Sequence, residues 1–139
     1  MGYTVHTLAK LSGISIRTLH YYDEIGLLKP AYIAENGYRY YQEKQLLLLQ
    51  QILFFRELGF TLKQIQKILA QTDFDRLNAL QSQKKLLSDK IVQMQILMKT
   101  IDKTINHIKG KQMLDNKEIF KGFEPDSEQQ QKYEKFVEE

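Results

Sequence analysis

Arg17, Thr18, His20 and Tyr21 crowd the opening turns of a predicted short helix, and Tyr38, Arg39 and Tyr41 follow in a predicted hairpin. These residue types recognise and hold a nucleic-acid duplex; they do not by themselves make or break bonds. A guanidinium can donate two parallel hydrogen bonds to the guanine edge in the major groove, or clamp a phosphate. Arg17 occupies the first turn, the part of a groove-reading helix that enters deepest. Thr18 can meet a thymine methyl or a phosphate. Tyr21, one turn after Arg17, can do the same with its ring and hydroxyl. His20 is either a phosphate donor or simply exposed. Tyr38, Arg39 and Tyr41 suit the DNA backbone or the minor groove, although strand alternation sets Arg39 on the opposite face from Tyr38 and Tyr40.

No arrangement of residues supports catalysis. His6, His20 and His107 lie on separate elements and none has a metal-ligand spacing. Asp23 and Glu24 are adjacent, so they diverge along a helix and read as solubilising charges at its end. Glycine-rich phosphate loops are absent, and with no cysteine there is no thiolate nucleophile, thiolate metal site or disulfide. The expectation is a binding protein with no metal and no cofactor.

The elements that must present these side chains are legible. Val5, Leu8, Ala9 and Leu11 recur at helical spacing over residues 4–12, and Gly13 ends that element. Ser15 is an N-cap for a second helix starting at Ile16, with Ile16, Leu19 and Tyr22 inward and Arg17, His20, Tyr21 and Glu24 outward. Helix, short turn, helix is a helix-turn-helix pattern. Gly26 and Pro30 end it, and Ala31–Tyr41 is a hairpin turning at Asn36-Gly37. A Leu-, Ile- and Phe-rich helix is expected over Glu43–Leu58, with Gln42 where a capping hydroxyl or carboxylate would be usual. Thr61 and Gln64 have the capping-box spacing, opening a helix with Leu62, Ile65, Ile68 and Leu69 on its apolar face.

From Asp75 to Ile108 a seam runs through Leu77, Leu80, Lys84, Leu87, Ile91, Met94, Met98, Ile101, Ile105 and Ile108 in steps of three and four. No glycine or proline interrupts it, and only Lys84 is polar. A heptad sustained this long predicts a coiled coil joining two copies; the alternative is a long amphipathic helix packed on its own domain. Beyond Gly110 the composition changes, with Phe120, Phe123, Tyr133, Phe136 and Val137 scattered among acids and glutamines. That stretch is either a solvated tail or the opening of a domain whose core lies elsewhere, and the second reading is preferred here.

Length and charge agree with this division. The 139 residues are 42% hydrophobic, enough for an ordinary domain with an extension. The net charge of +3 is unevenly spread: residues 1–70 carry +3, residues 75–113 carry +5 and residues 114–139 carry −4. A basic body suits a polyanionic partner and leaves the acidic tail another job. The richest apolar run, Leu46 to Phe55, is broken by Gln50 and Gln51 and is too short to span a bilayer, so no membrane role is expected.

The stretches Arg17-Thr-Leu-His-Tyr-Tyr-Asp-Glu-Ile-Gly-Leu-Leu-Lys-Pro30 and Gly37-Tyr-Arg-Tyr-Tyr41 resemble the signature of MerR-family transcription regulators, in the drug-responsive activator branch typified by Mta and TipAL. The resemblance covers about residues 1–110. It implies a mainly α fold: a winged helix-turn-helix DNA-binding domain over 1–72, with Glu43–Ala70 as its second helix pair, then an antiparallel dimerising coiled coil over 73–110. It implies a homodimer on a palindromic operator within a promoter whose spacer is too long. The DNA would be bent and untwisted so that RNA polymerase engages both promoter elements.

On this reading Ser15, Arg17, Thr18, His20, Tyr21, Lys29, Tyr38, Arg39, Tyr41 and Arg56 contact DNA. Many members carry arginine at the positions of His20 and Tyr32, so phosphate contacts are expected to move to Lys29, Arg39 and Arg56. Metal-sensing members carry cysteines near the end of the coiled coil; this chain has none, which argues against metal sensing. Glu118-Ile-Phe-Lys-Gly-Phe-Glu-Pro125 resembles the opening of the TipAL-type drug-binding domain, so residues 111–139 are expected to start an effector domain that this chain lacks. A small-molecule drug is a partner only where that domain is present. The expected location is the bacterial cytoplasm, at the nucleoid. The competing reading is an architectural, excisionase-like DNA-bending protein, which the long heptad helix disfavours.

Overall fold

Thr4 serves two elements at once. Its extended backbone completes a short strand, β1 (Tyr3–Thr4), and its hydroxyl accepts from the Thr7 amide at 3.2 Å to cap α1 (Val5–Ser12). The computed structural model describes residues 2–137, and the chain divides into two compact units, Met1–Glu57 and Leu58–Glu139. In the first unit Gly13 closes α1, and the Ser15 hydroxyl accepts from the Thr18 amide at 3.0 Å to open α2 (Ile16–Glu24). After α2 come β2 (Tyr32–Ile33), β3 (Arg39–Tyr41) and α3 (Glu43–Glu57).

The strands form an antiparallel sheet in the order β1-β3-β2, with Tyr3 opposite Tyr41, Thr4 opposite Tyr40, Tyr32 opposite Tyr40 and Ile33 opposite Arg39. The expected hairpin is therefore one edge of a three-stranded sheet, whose third strand is supplied by the residues just ahead of α1. A two-stranded ribbon is marginal in water, and the third strand gives β3 a partner on both sides. Leu8, Leu19, Tyr22, Leu27, Leu28, Tyr41, Leu49, Ile52 and Phe55 are buried. Each large apolar side chain among them contributes about 1.5–3 kcal/mol on burial. Gln51, which interrupts the apolar run in the sequence, is itself buried. At the start of α3 the Gln42 amide donates to the Gln45 side-chain carbonyl at 2.9 Å, which is the reciprocal half of a capping box.

The second unit holds α4 (Leu62–Leu69), α5 (Arg76–Ile108), α6 (Asn116–Ile119) and α7 (Asp126–Glu134). Thr61 and Gln64 form the full reciprocal capping box, and the Asp75 carboxylate accepts from the Leu77 and Asn78 amides to open α5. At 33 residues, α5 is about 50 Å long. The seam is its exposed side: Leu77, Ile91, Met94, Met98, Ile101, Ile105 and Ile108 are 42–78% exposed, while Leu80 and Leu87 are half-buried. Another face of α5, bearing Ala79, Gln83, Leu86 and Thr100, is buried.

The segment after α5 packs within its own unit. Thr100 Oγ1 donates to the Lys121 carbonyl at 2.7 Å, Gln93 Nε2 donates to the Gly122 carbonyl at 3.1 Å, and Lys103 pairs with Glu118. The rings of Tyr133 and Phe136 meet Phe60 edge-on, with centroids 6.4 and 5.6 Å away.

Candidate nucleic-acid interface

The outward face of α2 carries the residues the sequence assigned to it. Arg17, His20, Tyr21 and Glu24 are exposed, whereas Leu19 and Tyr22 are buried. Arg17 and Tyr21 stand one turn apart on that face. At the start of the helix the Ser15 hydroxyl also donates to Thr18 Oγ1 at 2.9 Å. The first turn is thereby ordered before any ligand arrives, and these two hydroxyls are part of the cap that orders it.

Between Ala34 and Tyr38 the hairpin turns tightly: Ala34 N donates to Tyr38 O and Gly37 N donates to Ala34 O, both at 2.9 Å. Asn36 keeps a negative φ, and its Oδ1 accepts from the Tyr38 amide at 3.0 Å; Gly37 alone takes a left-handed conformation, φ 83°. This is a type I turn closed by a glycine bulge, a common solution for three-residue hairpin loops. It leaves Tyr38 63% exposed at the tip. Tyr32 stacks on Tyr40, centroids 5.2 Å apart and planes 8° from parallel. Gly2 lies so close to this stack that a Cβ there would come within 3.0 Å of Tyr40 Cβ and 3.1 Å of the Tyr32 hydroxyl.

Two assignments change in the structure. Tyr41 is fully buried, so it is a core residue and not a DNA contact. Alternation along β3 turns it inward, and its hydroxyl has no hydrogen-bond partner among the described residues. Burial pushes its phenol above the ordinary tyrosine range; Asp23 raises it further and Arg39 partly offsets this. Asp23 is also more than a solubilising charge. Its Oδ2 receives Arg39 Nε at 2.8 Å, and its Oδ1 lies 3.5 Å from Lys29 Nζ, which also approaches the Asp23 carbonyl at 3.4 Å. Two of the expected phosphate-binding cations therefore converge on one carboxylate at the end of α2, where a helix terminus also favours positive charge.

The two cations are held differently. Arg39 is engaged and only 34% exposed at its side chain, whereas Lys29 is loosely held and 70% exposed. Arg56, in the last turn of α3, is exposed. The Asp23–Arg39 pair went unnoticed in the sequence because it joins residues 16 apart, through a sheet whose register no local periodicity reveals. Among the described residues no group of three or more His, Asp or Glu could hold a metal ion, and no helix is long and apolar enough to cross a membrane.

A capped helix with an exposed Arg-His-Tyr face, followed by an aromatic-tipped hairpin, defines a winged helix-turn-helix unit of the kind used by DNA-binding regulators. Residues 3–72 match the MerR HTH family of regulatory proteins. The chain belongs to this family, whose members are transcription regulators and not enzymes. It is 45% identical over 126 residues to the HTH-type transcriptional regulator SkgA of Caulobacter vibrioides, covering 91% of this chain and 49% of that protein. It is 45% identical over 122 residues to the HTH-type transcriptional activator mta of Bacillus subtilis, covering 88% of this chain and 48% of that one. The chain thus spans about half the length of these curated relatives.

Solved structures agree. The crystal structure of SkgA from Caulobacter crescentus superposes with a TM-score of 0.77 at 44% identity, covering 98% of this chain and 96% of that one. HiNmlR, a MerR family regulator lacking the sensor domain and bound to promoter DNA, gives 0.62 at 27% identity, covering 79% and 92%.

Proposed function

We propose that this chain is a transcription regulator that binds a two-fold symmetric promoter operator as a homodimer, in the cytoplasm. The observation that carries the reading is the pairing of α2, with Arg17, His20 and Tyr21 exposed, to a wing tied to the end of the same helix through Asp23 and Arg39. On this reading α2 enters the major groove, Arg17 reads a base edge or clamps a phosphate, and Thr18 and Tyr21 contact a thymine methyl or the backbone. Tyr38 at the wing tip, with Lys29 and Arg56, meets flanking phosphates.

The homodimer forms through the exposed seam of α5, where Leu77, Ile91, Met94, Met98, Ile101, Ile105 and Ile108 face solvent in the single chain. Antiparallel pairing would place the two helix-turn-helix units at opposite ends of one coiled coil, as a palindromic operator requires. The likeness to an activator, mta, and to a MerR regulator seen on promoter DNA supports action at promoters. Bending and untwisting an overlong spacer is the output such a dimer can deliver to RNA polymerase without touching it.

The test is selection of bound sequences from random duplexes by the purified chain. A palindrome with two half-sites is expected, and the Arg17→Ala variant should lose base preference at one symmetric pair of positions. Recovery of sequences with no symmetry would overturn the homodimeric reading, and no enrichment would overturn specific DNA binding.

A further inference from the structure

The segment after α5 packs back on that helix through specific contacts. Gln93 and Thr100, about two helical turns apart on α5, donate to the consecutive carbonyls of Gly122 and Lys121. Gly122 sits directly on the helix: with φ 96°, a Cβ there would lie 2.9 Å from Ile96 Cγ2 and 3.1 Å from the Leu97 amide nitrogen. Lys103 pairs with Glu118 one step further along. The far end of the segment reaches Phe60, just ahead of α4. Tyr133 and Phe136 clasp Phe60, which is 2% exposed and immediately precedes the cap of α4. Phe136 also lines a small groove with Ile68 of α4, Phe74 of the connecting segment and Ala79 of α5. One strap therefore touches mid-α5, the start of α4 and the joint between them.

The seat is incomplete. An open cleft of about 520 Å³, lined by Leu86, Val92, Ile96 and Phe123 and by charged residues including Asp89, Glu128 and Lys132, lies between α5 and the strap. Directional contacts around Gly122 join strap and helix beside this cleft. Such a seat can be released without dismantling the helix beneath it.

We propose that residues 113–137 are a releasable strap that sets the angle between α4 and α5, and that its docking thereby regulates operator binding by the proposed regulator, on whose function this second part rests. A third element bonded to α5 and packed on Phe60, just ahead of α4, restricts the relative motion of the two helices. Residues 58–61 alone separate α3 from α4, and on this proposal a change in how α4 meets α5 is passed along that short link to the chain that carries the helix-turn-helix. Two half-sites read by a rigid dimer tolerate little change in spacing. Undocking therefore shifts operator affinity with no change at the DNA-contacting residues.

The chain has no cysteine, which allows a clean measurement. Spin labels are placed at Lys67→Cys on α4 and Lys99→Cys on α5, both exposed, and the labelled protein is diluted into excess unlabelled chain. The distance distribution is recorded by pulsed electron spin resonance, and strap release by proteolysis within residues 113–137. Gly122→Val, which cannot seat, and the double variant Gln93→Leu with Thr100→Val, which keeps shape but removes both donors, are compared with the parent. A narrow distance in the parent that broadens or shifts in both variants, as protease cleavage rises at least tenfold, is the expected result. An unchanged distance with the strap cleaved freely would overturn the proposal, whatever the chain does with DNA. So would cleavage no faster than in the parent for both variants. Operator titrations on the same proteins separate the two readings. A parent that binds no duplex removes the proposed function and the regulatory part alone. A parent that binds, with variants binding within twofold of it, removes only the regulatory part.

Discussion

Arg39 Nε donates to Asp23 Oδ2 at 2.8 Å, joining the central strand of the sheet to the last turn of α2. The Asp23 side chain is 15% and the Arg39 side chain 34% exposed, so the pair is neither a surface contact nor a fully buried one. Its geometry makes Arg39 a residue that positions the wing, and leaves Lys29 as the more exposed cation beside it.

Asp23→Asn is therefore expected to destabilise the first unit by about 1–2 kcal/mol, between the values for exposed and buried pairs. Urea unfolding measures this. Arg39→Ala should show a similar loss, and the double variant should lose less than the sum of the two, since the pair is broken only once. Strict additivity would mean that the contact carries no coupling energy.

Tyr41→Phe tests the reassignment of that residue to the core. Its hydroxyl is buried without a partner among the described residues, so removing it should leave stability unchanged or raise it, and should leave operator affinity within twofold. The raised phenol adds a pH signature. Below the unfolded-state value near 10 both states hold the proton; as pH climbs past it the unfolded chain ionises first, and stability is lost until the folded phenol titrates too. Unfolding curves above pH 10 should therefore fall more steeply for the parent than for the phenylalanine variant. Identical slopes would contradict the burial.

Lys29→Ala and Arg17→Ala should separate charge from readout. If each subunit engages about four phosphates, log affinity should fall against log salt with a slope of about −7, and Lys29→Ala should make that slope shallower by about one for each phosphate no longer neutralised. Arg17→Ala should cost roughly 1–3 kcal/mol per base contact and flatten base preference. Equal, sequence-independent weakening by both would remove Arg17 from the groove.

Ile91→Asp combined with Met98→Asp places two charges on the exposed seam of α5, at positions 60% and 64% exposed in the single chain. Because both side chains already face solvent, the folded subunit should keep its helical content. Sedimentation should report a monomer, and operator binding should weaken by more than a hundredfold. A dimer of unchanged mass would place the interface elsewhere.

The sequence by itself determined the local elements, because their causes are local. Ser15 and Thr61 are followed at hydrogen-bonding distance by the amides they cap, Gly13, Gly26, Gly59 and Gly110 stand where helices end, and the three-four spacing from Leu77 to Ile108 specifies one apolar stripe on one long helix. The inward and outward faces of α2 follow from the same arithmetic, which is why Leu19 and Tyr22 are buried and Arg17 and Tyr21 are not. Only the tertiary structure decided what depends on residues remote in sequence. β1 is two residues long, too short for any alternation to show, and exists because β3 offers it a partner. The same pairing gives β3 a neighbour on each side and turns Tyr41 into the core, while Tyr40 stacks on Tyr32. Asp23 reaches Arg39 only through the register of that sheet. Phe60 meets Phe136, and Thr100 meets Lys121, because the chain reverses after Gly110. The aromatic residues of the acidic tail have no periodicity of their own, so only the face of α5 and the ring of Phe60 that receive them reveal where they belong.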